Sequence, residues 1–288
     1  MPEPFFLIVL VVIMTLAFDY INGFHDTANA IATVVSTRVL SPRTAIIMAA
    51  VLNFVGAMVA QNVAKTIAGG LVDKEFVNQA VILSALTGAI IWNLITWKYG
   101  IPSSSSHALI GGLCGAVISK GGWDALKIDG IKEKVLIPLF VSPMIGLFVG
   151  FLIMSLIYIL AKRANPSKAM AFFKPMQIIS SSLMAFSHGS NDAQKSMGII
   201  TLALVAGGFL TKTDKIIIPM WVMLSCAVAM ALGTAAGGWR IIKTMGHKIL
   251  RMDPSQGSAA ETSASVVILL ASKLGIPVST THVISSSI

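Results

Sequence analysis

One eight-residue stretch occurs twice in this chain, first as Gly100-Ile101-Pro102-Ser103-Ser104-Ser105-Ser106-His107 and again as Gly275-Ile276-Pro277-Val278-Ser279-Thr280-Thr281-His282. Five of the eight positions are identical, and two more exchange serine for threonine. We call these stretches the serine cassettes. Both lie within hydrophobic sequence, and duplicated polar interruptions of this kind are typical of the central site of a secondary transporter. The repeat therefore predicts two related halves and a role in moving a solute across a membrane.

A second pair of polar stretches, the aspartate cassettes, lies upstream of the serine cassettes. The first reads Asn22-Gly23-Phe24-His25-Asp26-Thr27-Ala28-Asn29, and the second reads His188-Gly189-Ser190-Asn191-Asp192-Ala193-Gln194-Lys195. On a helix of about 100° per residue, one face of the first copy collects Asp19, Asn22, Asp26, Asn29 and Thr33. One face of the second copy collects Ser181, His188, Asp192 and Lys195. The glycines beside the acids, Gly23 and Gly189, predict that both helices open there.

The composition of the chain indicates a membrane protein. It is 55% hydrophobic and 11% charged, with a mean hydropathy of +0.83, whereas soluble proteins carry about 25% charged residues. The basic residues behind the net charge of +9 lie in short loops, which favours cytoplasmic loops beside anionic lipid over nucleic-acid binding. Cys114 and Cys226 lie in apolar runs and are predicted to be buried thiols. We expect an all-α protein that crosses the cell membrane several times.

Nine apolar segments are candidate membrane helices, since a span needs about 20 mostly apolar residues. They lie at about 5–35, 43–63, 77–97, 103–119, 135–161, 172–208, 216–238, 258–273 and from 277 onward. The first is predicted to be a retained helix, because it lacks a basic n-region and a clear cleavage site. The fourth and ninth are short and open with the serine cassettes, so re-entrant hairpins or broken helices are predicted there.

Lysine and arginine predict the orientation of two repeats, 1–165 and 166–288. The basic stretches 162–174 and 239–251 are expected on the cytoplasmic side. If 103–119 crosses the membrane once, five crossings separate the aspartate cassettes and the second repeat is inverted. The stretch 120–134 conflicts with this scheme, because it holds four lysines and is placed outside. The serine cassettes lie 175 positions apart, and this offset predicts that the second repeat, incomplete here, continues to about position 336.

The serine cassettes are predicted to begin helices. Proline suits the first helical turn, and hydroxyl groups cap free N–H groups. A helix N-terminus within a membrane favours an anion, and two inverted copies would direct two such ends at one place. The candidate anion ligands are the hydroxyls of Ser104, Ser105, Ser106, Ser279, Thr280 and Thr281. A serine- and threonine-rich packing interface between helices is the alternative.

The carboxylates of Asp26 and Asp192 need a different role, because they would repel an anion. Charged residues within a membrane cost at least about 2.5–3.5 kcal/mol each, so both are expected to face the bundle interior. Oxygen-rich clusters suit a small hard cation, and a bound Na⁺ or a proton would remove the repulsion. Lys195 could pair with Asp192 or contact the anion, and Glu261 is either a first-turn residue or a further cation ligand. A buried network that only joins helices is the alternative.

The cassettes contain four histidines that raise alternative function classes, namely His25, His107, His188 and His282. A membrane metalloenzyme acting on a phosphorylated lipid would use them with the aspartates. However, the HExxH spacing is absent, and duplication alone explains four related histidines. A nucleophilic Ser–His pair within 103–107 is less favoured than helix capping. A passive anion channel is a third alternative to a coupled transporter.

The cassettes resemble the motifs of the inorganic phosphate transporter family, the cation-coupled phosphate permeases, and in particular its bacterial and archaeal branch. The family's duplicated Gly-Ala-Asn-Asp-Val-Ala-Asn-Ala-like motif is similar to 23–30 and 189–196, and its Pro-x-Ser-x-Thr-His element is similar to 102–107 and 277–282. The resemblance covers essentially the whole chain. It implies an inverted-repeat helical bundle with broken helices, a homodimer, and phosphate transport with Na⁺ or H⁺ by alternating access. It implies no enzyme activity and no cofactor besides the co-transported ion.

The residues and the resemblance together predict two sets of site residues. The resemblance implies those that fall on motif positions, which are Asp26, Asn29, Asp192, Gln194 and the six cassette hydroxyls. The phosphate ligands would be the six cassette hydroxyls together with Gln194 and Lys195. The coupling cation would be held by Asn22, Asp26, Asn29, Asn191 and Asp192, with Na⁺ at the two aspartates. His25 replaces the family's usual asparagine and, with the other three cassette histidines, is a candidate for proton handling. Lys195 also replaces an asparagine and so departs from the cation-ligand pattern. Because the family includes a sulfate permease, sulfate is an alternative substrate.

Overall fold

The computed structural model describes residues 5–69, 71–210, 216–244 and 252–288. Within these ranges the fold is all-α, with short 3₁₀ and π turns and one isolated β-bridge between Val72 and Leu126. The α-helices are α1 (Phe5–Ser36), α2 (Pro42–Ala57), α3 (Asn62–Gly69), α4 (Gln79–Tyr99), α5 (Ser105–Gly121), α6 (Ile128–Ile131), α7 (Ile137–Ala161), α8 (Pro166–Ala206), α9 (Met220–Ala236), α10 (Trp239–Lys243), α11 (Pro254–Lys273) and α12 (Thr280–Ser287). The prediction of an all-α protein is confirmed.

The surface of helix α7 is suited to lipid. Its buried residues are Pro138, Ser142, Gly146 and Gly150, so small or polar residues spaced by four face the protein. Its large apolar side chains lie outside, and Phe140 is 69% exposed. Helices of soluble proteins bury their apolar stripe, whereas small residues at helix contacts are typical of membrane proteins.

By length and composition, fewer segments can cross a membrane than the nine that the sequence predicts. Three helical segments meet the requirement, at Phe5–Ser36, Gln79–Tyr99 and Ile128–Ala161. Helices α2 and α3 count as a fourth if they form one span. The third segment joins α6, a π turn and α7, so the stretch 120–134 is partly helical and not simply an outside loop. The long helix α8 is not among the three, because the polar residues of its cassette interrupt the apolar run.

The segment predicted at 43–63 is broken in two. Helix α2 ends at Ala57, α3 begins at Asn62, and the two are bent by 66°. Gln194 of α8 stabilises the break, because its Oε1 accepts hydrogen bonds from the backbone N–H groups of Val63, at 2.9 Å, and Ala64, at 3.4 Å. These amides lie in the first turn of α3 and would otherwise lack partners.

The aspartate cassettes lie on the two central helices, and neither helix opens at its glycine. Helices α1 and α8 run unbroken through Gly23 and Gly189, so the predicted openings are wrong. The glycines instead allow close helix crossings. A Cβ atom at Gly23 would lie 2.5 Å from the carbonyl oxygen of Met230 on α9, and one at Gly189 would lie 2.2 Å from that of Asn53 on α2.

The serine cassettes form the turns of two helical hairpins, α4–α5 and α11–α12. Gly100 and Gly275 adopt left-handed φ angles of 68° and 70°, which favour glycine. Ser104 and Ser279 are the N-caps of α5 and α12, as predicted. The prolines lie two residues before these caps and not in the first helical turn as predicted. They therefore shape the approach to the helix, while the hydroxyl groups cap it.

The two basic stretches that predict the orientation are partly helical, so the loops within them are shorter than the sequence predicts. Because α8 begins at Pro166, only 162–165 connects it to α7. In the second stretch, α10 occupies Trp239–Lys243, while Lys248 and Arg251 lie outside the described residues. The division into repeats at 1–165 and 166–288 stays a prediction.

Candidate functional site

The two serine cassettes contact one another directly. Ser106 Oγ donates a hydrogen bond to the carbonyl oxygen of Val278 at 3.3 Å, and Thr281 Oγ1 donates to the carbonyl oxygen of Ser103 at 3.2 Å. In the repeat, Ser106 corresponds to Thr281, and Ser103 corresponds to Val278. The contact is therefore reciprocal, as in a two-fold interface. The rings of His107 and His282, another corresponding pair, lie 5.0 Å apart between centroids, so the local two-fold axis passes between them.

Each aspartate is bound by a hydroxyl group of the serine cassette from its own copy. Ser105 Oγ lies 2.7 Å from Asp26 Oδ2 and 2.6 Å from Asn22 Oδ1, to either of which it can donate. The corresponding hydroxyl of Thr280 donates to Asp192 Oδ2 at 3.3 Å. The same chemistry thus recurs on both sides of the axis, as the repeat predicts.

The residue before each aspartate donates a further hydrogen bond to it. His25 Nδ1 lies 2.7 Å from Asp26 Oδ1, and Asn191 Nδ2 donates to Asp192 Oδ1 at the same distance. His25 Nε2 also lies 3.0 Å from Thr96 Oγ1 on α4. The histidine that replaces the family's asparagine therefore keeps the asparagine's contact with the carboxylate.

Contacts between the two copies come from the last residue of each aspartate cassette. Asn29 Nδ2 donates to Thr281 Oγ1 at 2.8 Å, with Thr280 Oγ1 at 3.4 Å. Lys195, which corresponds to Asn29, donates to Ser106 Oγ and to Asp192 Oδ1, the latter at 2.5 Å. The serine cassette of each copy is therefore held by the central helix of the other.

Asp26 and Asp192 come together at the centre of this arrangement. Ligand atoms of Asp26, His188 and Asp192 all lie within 4.8 Å of one another, and all three residues are buried. His188 Nε2 lies 3.5 Å from Asp192 Oδ2, while its Nδ1 lies 3.1 Å from Asn53 Oδ1. Two carboxylates this close repel one another strongly away from water. Their oxygens, with those of the neighbouring hydroxyls and amides, are suited to a hard cation.

The N-termini of α5 and α12 meet beside these carboxylates. Ser104 and Ser279 are engaged as caps, because each Oγ accepts a hydrogen bond of 3.2 Å from the backbone N–H of the histidine three residues later. The hydroxyls of the first helical residues, Ser105 and Thr280, contact the carboxylates instead. The N-terminal ends of both helix dipoles thus lie next to the aspartates, so negative charge is favoured there.

Two polar residues that the sequence analysis considered, Gln194 and Glu261, lie away from this cluster. Gln194 faces α3, because it is rotated by about 200° from Asp192 on the same helix; its Nε2 donates to Ser190 O and to Ser272 Oγ. Asp19 of α1 is also buried, and it lies near enough to Asp192 and Lys195 to interact with their charges. Glu261 belongs to the second cluster described next.

Glu261 lies well inside α11, so its interpretation as a first-turn residue is wrong. The helix begins at Pro254, and its N-cap is Asp253. The Glu261 carboxylate is buried and accepts hydrogen bonds from Ser180 Oγ, at 2.5 Å, and from Thr33 Oγ1. The sequence placed Thr33 on the polar face of α1 but gave no partner for it.

Two buried polar residues outside the cassettes also support the site. Asn53 of α2, which contacts His188, donates to Thr234 Oγ1 of α9 at 2.8 Å. Both are fully buried. The sequence analysis missed them, although a single polar residue within an apolar run is the signal that marks each of them.

Comparison with known proteins agrees with this geometry. The chain matches the family described as "Phosphate transporter family" over residues 22–288. A Bacillus subtilis protein named "Probable low-affinity inorganic phosphate transporter" is 51% identical, over 98% of this chain and 84% of the relative. A Mycobacterium bovis protein of the same name is 46% identical, over 98% of this chain and 68% of the relative.

A solved structure titled "The sodium-dependent phosphate transporter" matches this fold with a TM-score of 0.91. The two sequences are 25% identical, and the match covers 98% of this chain and 88% of the solved chain. These proteins are transporters, which sets aside the metalloenzyme alternative. The chain belongs to the phosphate transporter family and is a membrane protein that transports phosphate.

Proposed function

We propose that this chain is a secondary active transporter that carries inorganic phosphate together with Na⁺ or H⁺ across the cell membrane by alternating access. The observation that carries the proposal is the convergence of Asp26 and Asp192 beside the N-termini of α5 and α12. Carboxylates and helix N-termini attract charges of opposite sign. A site that brings both together is suited to an anion and a cation bound side by side.

Coupling follows from the electrostatics of this pair. Without a cation, the two buried carboxylates repel phosphate and oppose its binding at the adjacent helix ends. A cation bound between Asp26 and Asp192 removes that repulsion, so phosphate binds well only to the cation-loaded protein. Each ligand then favours the binding of the other by the same factor. Movement of the fully loaded protein couples the phosphate flux to the cation gradient.

The assignment of residues to the two ligands follows the sequence-based prediction except at Gln194 and Lys195. The coupling cation is assigned to the oxygens of Asp26 and Asp192, with support from Asn22, Asn29 and Asn191. Phosphate is assigned to the first-turn amides and hydroxyls of the serine cassettes, with the cassette histidines as candidates for proton handling. The Ser105, Thr280 and Thr281 hydroxyls lie between the two ligands and are assigned to both. Gln194 has both amide atoms engaged near α3, so its predicted contact with phosphate would require rearrangement.

The remaining features of the proposal are the ion, the assembly and the location. The similar solved structure is that of a sodium-dependent phosphate transporter, which supports Na⁺ over H⁺. A homodimer, several crossings of the plasma membrane, two repeats of inverted orientation, and the lack of any cofactor besides the co-transported ion stay predictions. The apolar exterior of α7 supports a location within lipid.

The proposal is tested by uptake of labelled phosphate into proteoliposomes, with a Na⁺ gradient and a pH gradient imposed separately. At least one of the two gradients is expected to drive phosphate uptake. Excess sulfate is expected to compete only weakly with labelled phosphate. Asp26→Asn should reduce coupled uptake by about a hundredfold or more while the protein still inserts, because the cation loses its attraction to one of two carboxylates at a site away from water. Asp124→Asn, which removes an exposed carboxylate, is the control.

Three results would contradict the proposal. Uptake that ignores both gradients would indicate a passive anion channel. Stronger inhibition by sulfate than by unlabelled phosphate would indicate the sulfate permease. Wild-type uptake by Asp26→Asn would remove that residue from the site.

A further inference from the structure

The reciprocal contacts of the site reveal one position at which the two copies differ in charge. Asn29 and Lys195 each lie three residues after the aspartate of their cassette, and each reaches the serine cassette of the other copy. Asn29 is neutral, whereas Lys195 carries an ammonium group. The pseudo-symmetric site is therefore chemically asymmetric at this position.

The ammonium group of Lys195 is enclosed by oxygen ligands. Lys195 is only 1% exposed, and its Nζ donates to Asp192 Oδ1, to Ser106 Oγ and to the carbonyl oxygen of Val278, the last at 3.1 Å. An ammonium group has three N–H donors, so these three acceptors use all of them. A carboxylate, a hydroxyl and a backbone carbonyl are also the ligands that a hard cation selects.

The symmetry-related position in the first copy has the same kinds of ligand but no ammonium group. The residues that correspond to the three acceptors are Asp26, Thr281 and Ser103. Thr281 Oγ1 lies 3.2 Å from the Ser103 carbonyl oxygen, and Asn29 donates to that same hydroxyl. The first copy thus presents a comparable set of oxygens beside a neutral side chain.

We propose that the Lys195 ammonium is a resident counter-cation. It occupies one of two symmetry-related cation positions, and only the other position, at Asp26, Thr281 and the Ser103 carbonyl, takes an exchangeable cation. The inference rests on the proposed cation coupling and deepens it. It also gives Lys195 a different role from that of phosphate ligand, since its donors are already used.

A count of charges supports this assignment. Asp26, Asp192 and Lys195, when all are ionised, carry one net negative charge, so a single monovalent cation makes the three groups neutral. With asparagine in place of Lys195, two cations would be needed. Whatever the charge of the neighbouring Asp19, the identity of residue 195 therefore changes by one the number of monovalent cations that neutrality requires.

The test measures the number of positive charges transported with each phosphate. It is obtained in proteoliposomes from the membrane potential at which net flux of labelled phosphate is zero under fixed ion gradients. Lys195→Asn is expected to raise this number by one, and Asn29→Lys to lower it by one. The double variant Asn29→Lys/Lys195→Asn, which exchanges the two side chains across the axis, is expected to return it to the wild-type value.

A second readout does not require transport. The steepness with which phosphate binding to purified protein depends on cation concentration is expected to rise in Lys195→Asn and fall in Asn29→Lys. A merely structural role for Lys195 would weaken binding without changing this steepness. The exchange variant also controls for folding, because it keeps both side chains and the net charge.

The outcomes separate this inference from the proposed function. Wild-type flux that ignores every ion gradient defeats the proposed coupling itself. Intact coupling with an unchanged charge number in Lys195→Asn overturns only the inference, as does a loss of phosphate affinity with unchanged cation dependence. If neither single variant inserts into the membrane and the exchange variant does not restore transport, the resident counter-cation is also overturned.

Discussion

Ser105 and Thr280 occupy the same position in the two serine cassettes and contact the two aspartates at different distances. The Ser105 hydroxyl lies 2.7 Å from the Asp26 carboxylate, whereas the Thr280 hydroxyl lies 3.3 Å from that of Asp192. Asp192 has a compensating partner, the ammonium of Lys195 at 2.5 Å. The aspartate that lacks a lysine is therefore the one that depends more on its hydroxyl.

This difference predicts unequal effects of removing the two hydroxyl groups. Ser105→Ala is expected to raise the half-saturating concentration of the coupling cation by about tenfold or more, because a hydrogen bond to a charged group contributes about 1.5–3 kcal/mol. Thr280→Val is expected to have a smaller effect. The measurement is initial phosphate uptake over a range of cation concentrations.

The control for these variants is Ser84→Ala on α4. The Ser84 hydroxyl is exposed and donates only to the carbonyl of Ala80 in its own helix, so uptake should not change. A larger effect of Thr280→Val than of Ser105→Ala would contradict the assignment of the exchangeable cation to the Asp26 side.

Sequence patterns identified the acidic residues of the site better than their partners. Asp26 and Asp192 were predictable, because an ionised group in an apolar segment has few reasons to be there other than function. The partners of Gln194 and Glu261 were not. Helical periodicity gives the direction of a side chain relative to its own helix, but it does not say which helix lies on that side. Only the packing of α3 against α8, and of α11 against α1, supplies that information.

Glycine residues lie at the points where helices of the two copies cross closely. A Cβ atom at Gly233 of α9 would lie 2.0 Å from the Tyr20 carbonyl oxygen of α1, and one at Gly56 of α2 would lie 2.1 Å from the Phe186 carbonyl oxygen of α8. In a membrane, helix association depends on close packing because lipid is as apolar as the helix surface. These two crossings therefore hold each central helix against the second helix of the other copy.

Gly233→Ala is expected to destabilise the protein through this crossing. The added methyl group overlaps the backbone of α1, and overpacking of this kind costs about 1–3 kcal/mol. The expected result is a thermal unfolding midpoint several degrees lower for the purified protein in detergent. Gly88→Ala on α4 is the control, since no described residue outside the local helix backbone lies within 4 Å of its added Cβ, and alanine favours a helix by up to about 1 kcal/mol. Equal midpoints for the two variants would contradict the role of the crossing.

Helix ends were predictable where glycine and proline mark them and not elsewhere. Gly100-Ile101-Pro102 and Gly275-Ile276-Pro277 predicted the two hairpin turns, because the left-handed glycine and the capping hydroxyl are local properties. The break at 58–61 has neither glycine nor proline. It is stabilised by the Gln194 side chain of a helix more than a hundred residues away, so local sequence could not indicate it.

At the scale of the whole molecule, the two copies are joined through the site itself. Each serine cassette contacts the other cassette and the central helix of the opposite copy. The repeat in the sequence predicted two related halves, and Lys195 was expected either to pair with Asp192 or to contact the anion. The mutual contact and its distances required the structure. We therefore expect that opening the site from one side moves one serine cassette relative to the other.

A cross-link between the serine cassettes is expected to stop transport for this reason. His107 and His282 are half-buried and face one another across the local axis, with ring centroids 5.0 Å apart. In a background with Cys114 and Cys226 replaced by alanine, His107→Cys/His282→Cys treated with a short, reducible bifunctional thiol reagent should lose most of its phosphate uptake. Reduction should restore it. The single variants, treated in the same way, should transport at their untreated rates. Cross-linked protein that still transports at the untreated rate would show that the cassettes move together as one body.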